Sequence, residues 1–177
     1  MSIKRYFASK DSTITNAYKQ NLRDRAVDAN MGESDVLEVF SIYGQATTSS
    51  VELSRILVQF PVDKIITDRQ NSLIPPSGSI DFVLKMSNVV HPFSLPKKYS
   101  LVVNPLSRSW DEGYGLDMET YKDTGPVNWL SASSTEAWTT EGGDIYSSPE
   151  FSQYFEDGTE DLSVNITEIV EQWIVDS

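Results

Sequence analysis

The residues best suited to chemistry lie close together after position 109, where the sequence reads Trp110-Asp-Glu-Gly-Tyr-Gly. Asp111 and Glu112 are adjacent carboxylates, and adjacent residues on a strand point to opposite faces. Glycosidases instead hold two carboxyl groups that face each other about 5 to 10 Å apart. Pairing with Asp117 or Glu119 stays open from the sequence, but the spacing does not favour an acid–base pair.

Four acids of this region are candidate ligands for a cation: Asp111, Glu112, Asp117 and Asp123. Calcium prefers carboxylate oxygens, although the spacing of these acids does not match an EF-hand loop. The acidic run over residues 157–161 is a second, weaker candidate. The sequence leaves two interpretations open, a bound calcium ion and acidic loops exposed to solvent, and it favours the second.

The aromatic residues of the same region also allow two interpretations. A stacking platform for the pyranose rings of surface glycans would use Trp110, Tyr114, Trp129 and Trp138, with Tyr121 beside them. Alternatively, the tryptophans attach an irregular loop to the core, because an indole buries a large apolar area and keeps one polar group. The second interpretation is favoured.

The inventory of residue types removes most catalytic classes. There is no cysteine, which excludes disulfides, thiolate zinc sites and cysteine nucleophiles. His91, which precedes Pro92, is the only histidine, so metal sites with two histidines are excluded and a Ser-His-Asp triad would depend on it. Gly113-Tyr-Gly115 lacks the third glycine of a dinucleotide-binding loop. We therefore predict that the protein is not an enzyme.

The charge of −12 is distributed unevenly. Residues 1–110 hold 13 Lys and Arg against 10 Asp and Glu, whereas residues 111–177 hold one Lys against 16 Asp and Glu. Such a surface repels a phosphate backbone, so nucleic-acid binding is disfavoured. The acidic half is interpreted as a solvated face, with cation binding and docking onto a basic partner as the alternatives.

The hydrophobic pattern predicts an all-β protein. Residues 36–43 carry apolar side chains on both faces, which predicts a central strand covered on both sides, and residues 53–60 have the same character. Shorter strands are predicted over residues 3–8, 13–18, 80–86, 99–103 and 162–165, with 99–103 pairing with 80–86. Several strands separated by turns indicate an antiparallel sandwich.

Two segments depart from the strand pattern. Residues 110–146 follow no period and predict a long irregular loop. Residues 166–174 place apolar side chains at helical spacing after Asn165, which could accept a hydrogen bond from the Glu168 amide, so a short C-terminal helix is predicted. A helical turn is predicted over residues 62–68. We interpret residues 1–177 as one domain, with neither a signal peptide nor a membrane span.

Several segments in this order resemble the DNRLRE-type jelly-roll domain, and among its members the virion structural proteins of contractile-tailed marine bacteriophages, cyanophages in particular. The resemblance covers nearly the whole chain. The segments that carry it are Asp11-Ser-Thr-Ile-Thr-Asn-Ala, Ala29-Asn-Met-Gly-Glu-Ser-Asp-Val-Leu-Glu-Val-Phe, Leu53-Ser-Arg-Ile-Leu-Val-Gln-Phe, Ser109-Trp-Asp-Glu-Gly, Asn128-Trp, Trp138-Thr-Thr-Glu-Gly-Gly-Asp and Leu162-Ser-Val-Asn-Ile-Thr-Glu-Ile-Val-Glu-Gln-Trp.

The resemblance implies a jelly-roll β-sandwich without catalysis, and sugar binding in the secreted members of the family. It predicts a structural or decoration protein of a virion, assembled in the host cytoplasm, that forms oligomers and docks on capsid, neck or tail proteins. In the family, further strands follow the segment that resembles residues 166–173. We therefore expect a shortened form or a fragment of the sandwich, or a sandwich whose closing strands come from a neighbouring subunit.

Overall fold

The computed structural model describes residues 3–90, 95–117 and 120–176, and antiparallel strands dominate this part of the chain. A mainly-β fold is therefore confirmed. His91 lies outside the described residues. The elements, in chain order, are β1 (Lys10–Thr15), β2 (Ser41–Tyr43), β3 (Val51–Gln59), α1 (Val62–Gln70), β4 (Val83–Met86), β5 (Tyr99–Val103), β6 (Phe151–Phe155), β7 (Leu162–Asn165) and α2 (Thr167–Asp176).

The sequence predicted one domain, whereas the contacts within the chain separate it into two compact units. The three-stranded unit consists of residues 7–60 and 106–144. The two-sheet unit consists of residues 1–6, 61–105 and 145–177. Both units are discontinuous in sequence, because the chain leaves the three-stranded unit after residue 60 and returns to it at residue 106.

The sheet of the three-stranded unit has the order β1-β3-β2, with antiparallel neighbours. Its central strand is β3. The register of the first pair places Thr13 of β1 opposite Ile56 of β3. Alternation sends Ile14 and Leu57 to a core face, while Thr13, Thr15 and Ser54 fill the other face and are also buried. The apolar core on the first face contains Ile14, Leu57, Trp110, Val127, Trp129, Ala132 and Trp138.

The prediction of a central, doubly covered strand over residues 36–43 is wrong. Only Ser41–Tyr43 is a strand, and it is an edge strand that pairs with β3 alone. The doubly covered strand is β3, as its character over residues 53–60 predicted. The strand predicted over residues 3–8 is also absent, and β1 begins at Lys10.

The two-sheet unit contains two antiparallel pairs, β4 with β7 and β5 with β6. The predicted pairing of residues 99–103 with 80–86 is therefore wrong. Each of these two strands pairs instead with a strand far along the chain, β4 with β7 and β5 with β6. Tyr99 of β5 stacks on its partner Phe155 of β6, with ring centroids 5.0 Å apart. The core beneath includes Ile65, Ile74, Phe155, Leu162, Val164, Ile166, Ile169 and Val170.

The two helices of this unit are tied by a bidentate ion pair. The guanidinium of Arg69 in α1 donates to both carboxylate oxygens of Glu171 in α2, each at 2.7 Å. The C-terminal helix is confirmed over Thr167–Asp176, but Asn165 Oδ1 accepts from the Thr167 amide at 3.0 Å and not from Glu168. No described helix is long and apolar enough to cross a membrane.

The irregular segment predicted over residues 110–146 is confirmed as far as it is described. β5 ends at Val103 and the next strand begins at Phe151. Between them the chain makes isolated bridges such as Ser131 with Ala137, and its tryptophans enter the core of the three-stranded unit. The loop is thus held by side-chain burial and not by a sheet.

Candidate functional site: an open strand edge

Residues 36–43, which we name the open edge, form a largely exposed apolar segment. None of the eight residues is buried, and Tyr43 is 75% exposed. The six apolar side chains of the segment are Val36, Leu37, Val39, Phe40, Ile42 and Tyr43. A contiguous exposed apolar segment of this kind is uncommon on a protein that acts alone.

Side chains from β1 and β3 hold the backbone of residues 38 and 40 in place. Ser54 Oγ accepts from the Phe40 amide at 2.7 Å and donates to the Glu38 carbonyl at 3.0 Å. The Ser54 amide donates to the Phe40 carbonyl at 3.0 Å, and Thr13 Oγ1 accepts from the Glu38 amide at 3.1 Å. Residues 38 and 40 therefore direct their backbone groups toward the sheet.

The remaining backbone groups point away from the sheet. In an antiparallel ladder successive residues alternate between facing the partner strand and facing outward. Because the bonds of Phe40 and of Gly44 run toward β3, the N–H and C=O groups of Ser41 and Tyr43 face outward. The open edge thus presents a row of backbone donors and acceptors together with apolar side chains.

A buried carboxylate lies beneath the same strand. Glu52 is opposite Ile42 and is 1% exposed. Its Oε2 accepts from the Tyr18 amide at 2.7 Å, and the Gln45 side-chain nitrogen, turned toward it, donates to both oxygens at 2.6 and 2.9 Å. These donors compensate for burying the carboxylate.

Asn30 positions residues 113–116 of the irregular loop. It is fully buried, and its Oδ1 accepts from the amides of Gly32 and Gly115 at 3.3 and 3.0 Å. A Cβ atom on Gly113 or Gly115 would overlap with atoms of Asn30, and one on Gly125 would overlap with its Nδ2. The close approach fixes residues 113–116 and leaves the side chains of Tyr114 and Leu116 exposed.

Carboxylates surround these apolar side chains. Glu33 and Asp35 are exposed on the segment that leads into the open edge, and Glu38 is exposed within it. The Glu33 amide donates to the Gly115 carbonyl at 2.9 Å, which joins this segment to residues 111–117. Burial raises the pKa of the Tyr121 phenol, and the nearby carboxylates of Glu52 and Glu38 raise it further. The surface around the open edge is therefore acidic.

The structure does not gather the four predicted calcium ligands. Among the described residues, no group of three or more His, Asp or Glu side chains could hold a metal ion. Instead, Glu112 Oε1 accepts from the Asp11 amide at 3.0 Å and Asp123 Oδ2 accepts from the Leu116 amide at 2.9 Å. Asp111 and Asp117 are exposed. Glu112 and Asp123 thus attach loop segments through the backbone.

Three of the four predicted sugar-binding aromatics are buried. Trp110, Trp129 and Trp138 are 4, 4 and 6% exposed, so their rings offer no open face to a sugar. The Trp138 indole donates to the Asn128 carbonyl at 2.9 Å, which satisfies its one polar group. Tyr114 alone is exposed, at 65%. The burial of these rings confirms the interpretation that the tryptophans attach the irregular loop to the core.

Cations cover two of these indoles. The Arg55 guanidinium lies 5.1 Å from the Trp129 ring and donates to the Gly142 carbonyl at 2.7 Å, and burial lowers its pKa. The Lys10 ammonium lies 5.7 Å from the Trp110 ring and donates to the Trp110 carbonyl at 2.9 Å. Both cations reinforce the attachment of the irregular loop.

The sequence did not reveal Asn30, which fixes residues 113–116, or Glu52, which lies beneath the open edge. Neither residue belongs to a recognisable motif. In a strand-rich sequence, a polar residue that will be buried looks the same as one that will be exposed. The glycines at 113 and 115 were a signal, because two glycines one residue apart indicate a close backbone approach. Comparisons with family models, curated proteins and solved structures found no match for this chain.

Proposed function

We propose that this chain is a non-enzymatic structural protein of a bacteriophage particle that docks on other capsid, neck or tail proteins. The observation that carries the proposal is the open edge, in which none of eight consecutive residues, six of them apolar, is buried. Strand edges that stay uncovered promote uncontrolled pairing, so natural proteins protect them or use them as interfaces. A protein that occurs only in an assembly has its edge covered by a neighbour.

The resemblance of the ordered segments to the DNRLRE-type domain supports the proposal that the protein is part of a virion. It also supports the proposal that the fold is a jelly-roll sandwich. The described sheets have three, two and two strands, which is small for a sandwich. In our proposal, strands from neighbouring subunits extend these sheets in the assembled particle. An experimental structure of the particle in which every sheet of this chain ends as it does alone would contradict that arrangement.

Carbohydrate binding, the alternative from the sequence, has little support at the predicted positions. A stacking site needs exposed aromatic faces on one surface, and only Tyr114 of the four predicted residues has one. The proposal therefore rests on protein–protein docking.

The decisive experiment uses particles purified from the source phage by density-gradient centrifugation. An antiserum raised against the full chain should detect it in the particle fraction, in a constant ratio to the major capsid protein. Detection only among the free proteins of the lysate would overturn the proposal. Light scattering on the purified chain complements this test, since an uncovered edge predicts oligomers whose mass falls when Ile42→Lys places a charge there.

A further inference from the structure

A chemically labile peptide bond lies in the turn between β6 and β7. Asp157-Gly158 is the only place in the sequence where glycine follows an aspartate or an asparagine. Because glycine has no side chain to hinder its amide nitrogen, this nitrogen attacks the preceding side-chain carboxyl group readily in a flexible chain. The Asp157 side chain is 66% exposed, and its Oδ1 lies 3.2 Å from the Lys97 ammonium. The carboxyl group is therefore accessible to water.

The reaction at such a bond needs no reagent other than water. The Gly158 nitrogen forms a bond to Cγ of Asp157, the Cγ–OH bond breaks, and the hydroxyl group leaves with the amide proton as water. Water then opens the resulting succinimide ring at one of its carbonyls. Opening at Cγ restores aspartate. Opening at the main-chain carbonyl leaves an isoaspartyl residue, in which the backbone runs through Cγ and is longer by one carbon.

The Glu160 carboxylate opposes this reaction in the folded turn. Its Oε1 accepts from the amides of Glu156 and Asp157 at 2.8 and 3.0 Å, which fixes the backbone before the labile bond. The Gly158 amide also bonds to this carboxyl group and helps to lower its pKa. An ionised carboxylate beside the Gly158 amide disfavours the nitrogen anion that would attack, because like charges repel.

Packing fixes the backbone after the labile bond. Gly158 is buried, and a Cβ atom there would overlap with the Pro96 carbonyl oxygen. The Asn88 side-chain amide donates to the Gly158 carbonyl at 3.0 Å. An isoaspartyl backbone, longer by one carbon, would displace Gly158 from both contacts. The closed turn thus opposes ring formation and does not accommodate the product.

We infer that the Asp157–Gly158 bond is a site of spontaneous backbone isomerisation, and that Glu160 suppresses the reaction in the folded chain by holding the turn closed. The reaction then requires a transient opening of the turn, and its rate is proportional to the population of the open form. Once isomerisation has occurred, the amides of the turn no longer meet the Glu160 carboxylate, and the connection between β6 and β7 is weakened.

The test follows the isoaspartate content at residue 157 over time in the full chain, by peptide mapping with mass spectrometry at neutral pH. The reference is the same chain unfolded in guanidinium chloride. We expect the folded chain to isomerise at least about tenfold more slowly than the unfolded chain. Equal rates would overturn the inference, because the fold would then give the bond no protection.

A matched pair of variants tests the role of Glu160. Glu160→Gln keeps an oxygen acceptor but removes the charge, and we expect this variant to isomerise about fivefold faster than the natural chain while circular dichroism shows it to be folded. The control Glu150→Gln neutralises an exposed acid of the same unit and should leave the rate unchanged. Equal rates in the two variants would show that Glu160 does not protect the bond.

Two further variants keep the inference testable even if Glu160→Gln does not fold. Asn88→Ala retains Glu160 but removes the hydrogen bond to the Gly158 carbonyl, so isomerisation should again be faster. A folded Asn88→Ala chain that isomerised at the natural rate would contradict protection by the closed turn. Asp157→Glu should abolish the isomer at this position, because ring closure would give a less favourable six-membered ring. An isomer that persisted there would overturn the assigned reaction.

Discussion

Ile42 lies directly opposite Glu52 in the antiparallel pair of β2 and β3, and the two residues have inverted environments. The isoleucine is 38% exposed and the carboxylate is 1% exposed. The inversion arises because the face of the sheet that Ile42 shares is filled by buried polar side chains, Thr13, Thr15 and Ser54, that bond to the backbone. The apolar side chain of Ile42 at the edge of the sheet stays exposed.

Replacing Glu52 tests whether its buried carboxylate stabilises the folded protein. Glu52→Ala leaves the Tyr18 amide and the Gln45 side chain without their acceptor, so we expect the free energy of unfolding to fall by about 2 kcal/mol. Urea titration measures this loss. The control Glu38→Ala changes an exposed side chain and should stay within about 0.5 kcal/mol of the natural chain. Equal effects would mean that Glu52 is not enclosed in solution.

The packing around Asn30 predicts a large effect from one methyl group. In Gly115→Ala the new Cβ would overlap with the Asn30 carbonyl oxygen, and we expect a loss of about 2 kcal/mol or more. Gly78→Ala is the comparison, since it has a positive φ of 79° but nothing within 4 Å of the new atom, and should lose about 1 kcal/mol. A smaller loss at position 115 than at 78 would contradict the described packing.

The ion pair between the helices predicts that Arg69→Lys is not conservative. Lysine cannot donate to both Glu171 oxygens from one planar group, so we expect the free energy of unfolding to fall by about 1 kcal/mol. Lys97→Ala removes the exposed pair with Asp157 and should change it by less than about 0.5 kcal/mol. Thermal and urea unfolding would both reveal the ranking, and its reversal would refute the prediction.

Acid should weaken the two-sheet unit through Glu160. Backbone amides, that of Asp157 first, lower the pKa of this carboxyl from its ordinary value of 4.5 to about 2, and its Oε1 accepts from the Glu156 and Asp157 amides at 2.8 and 3.0 Å. Because the folded pKa is depressed, the stabilisation is complete above pH 4.5 and is lost as the pH falls toward 2.

The measurement is the difference in unfolding free energy between the natural chain and Glu160→Gln, followed by urea titration across this range. We expect the difference to be largest above pH 4.5 and to shrink steadily as the pH approaches 2. A difference that stays constant with pH would show that the backbone amides do not favour the ionised form.

The local sequence pattern was sufficient to predict the elements that depend only on nearby residues. The strand at Leu162–Asn165, the strand at Tyr99–Val103 and the C-terminal helix follow from alternation, β-branched composition and helical spacing. The irregular loop with its tryptophans also followed, because no period fits it and an indole must be buried somewhere. Composition alone excluded the chemistry of cysteine.

Tertiary structure decided which strand is central and which is an edge. Residues 36–43 and 53–60 have similar composition, and only the pairing of β3 with both β1 and β2 distinguishes them. The same holds for β4 and β5, whose partners β7 and β6 lie far along the chain. Periodicity records which residues share a face, but it does not record what covers that face. Coverage depends on segments brought together from distant positions, which is why Asn30, Glu52 and the open edge emerged only from the fold.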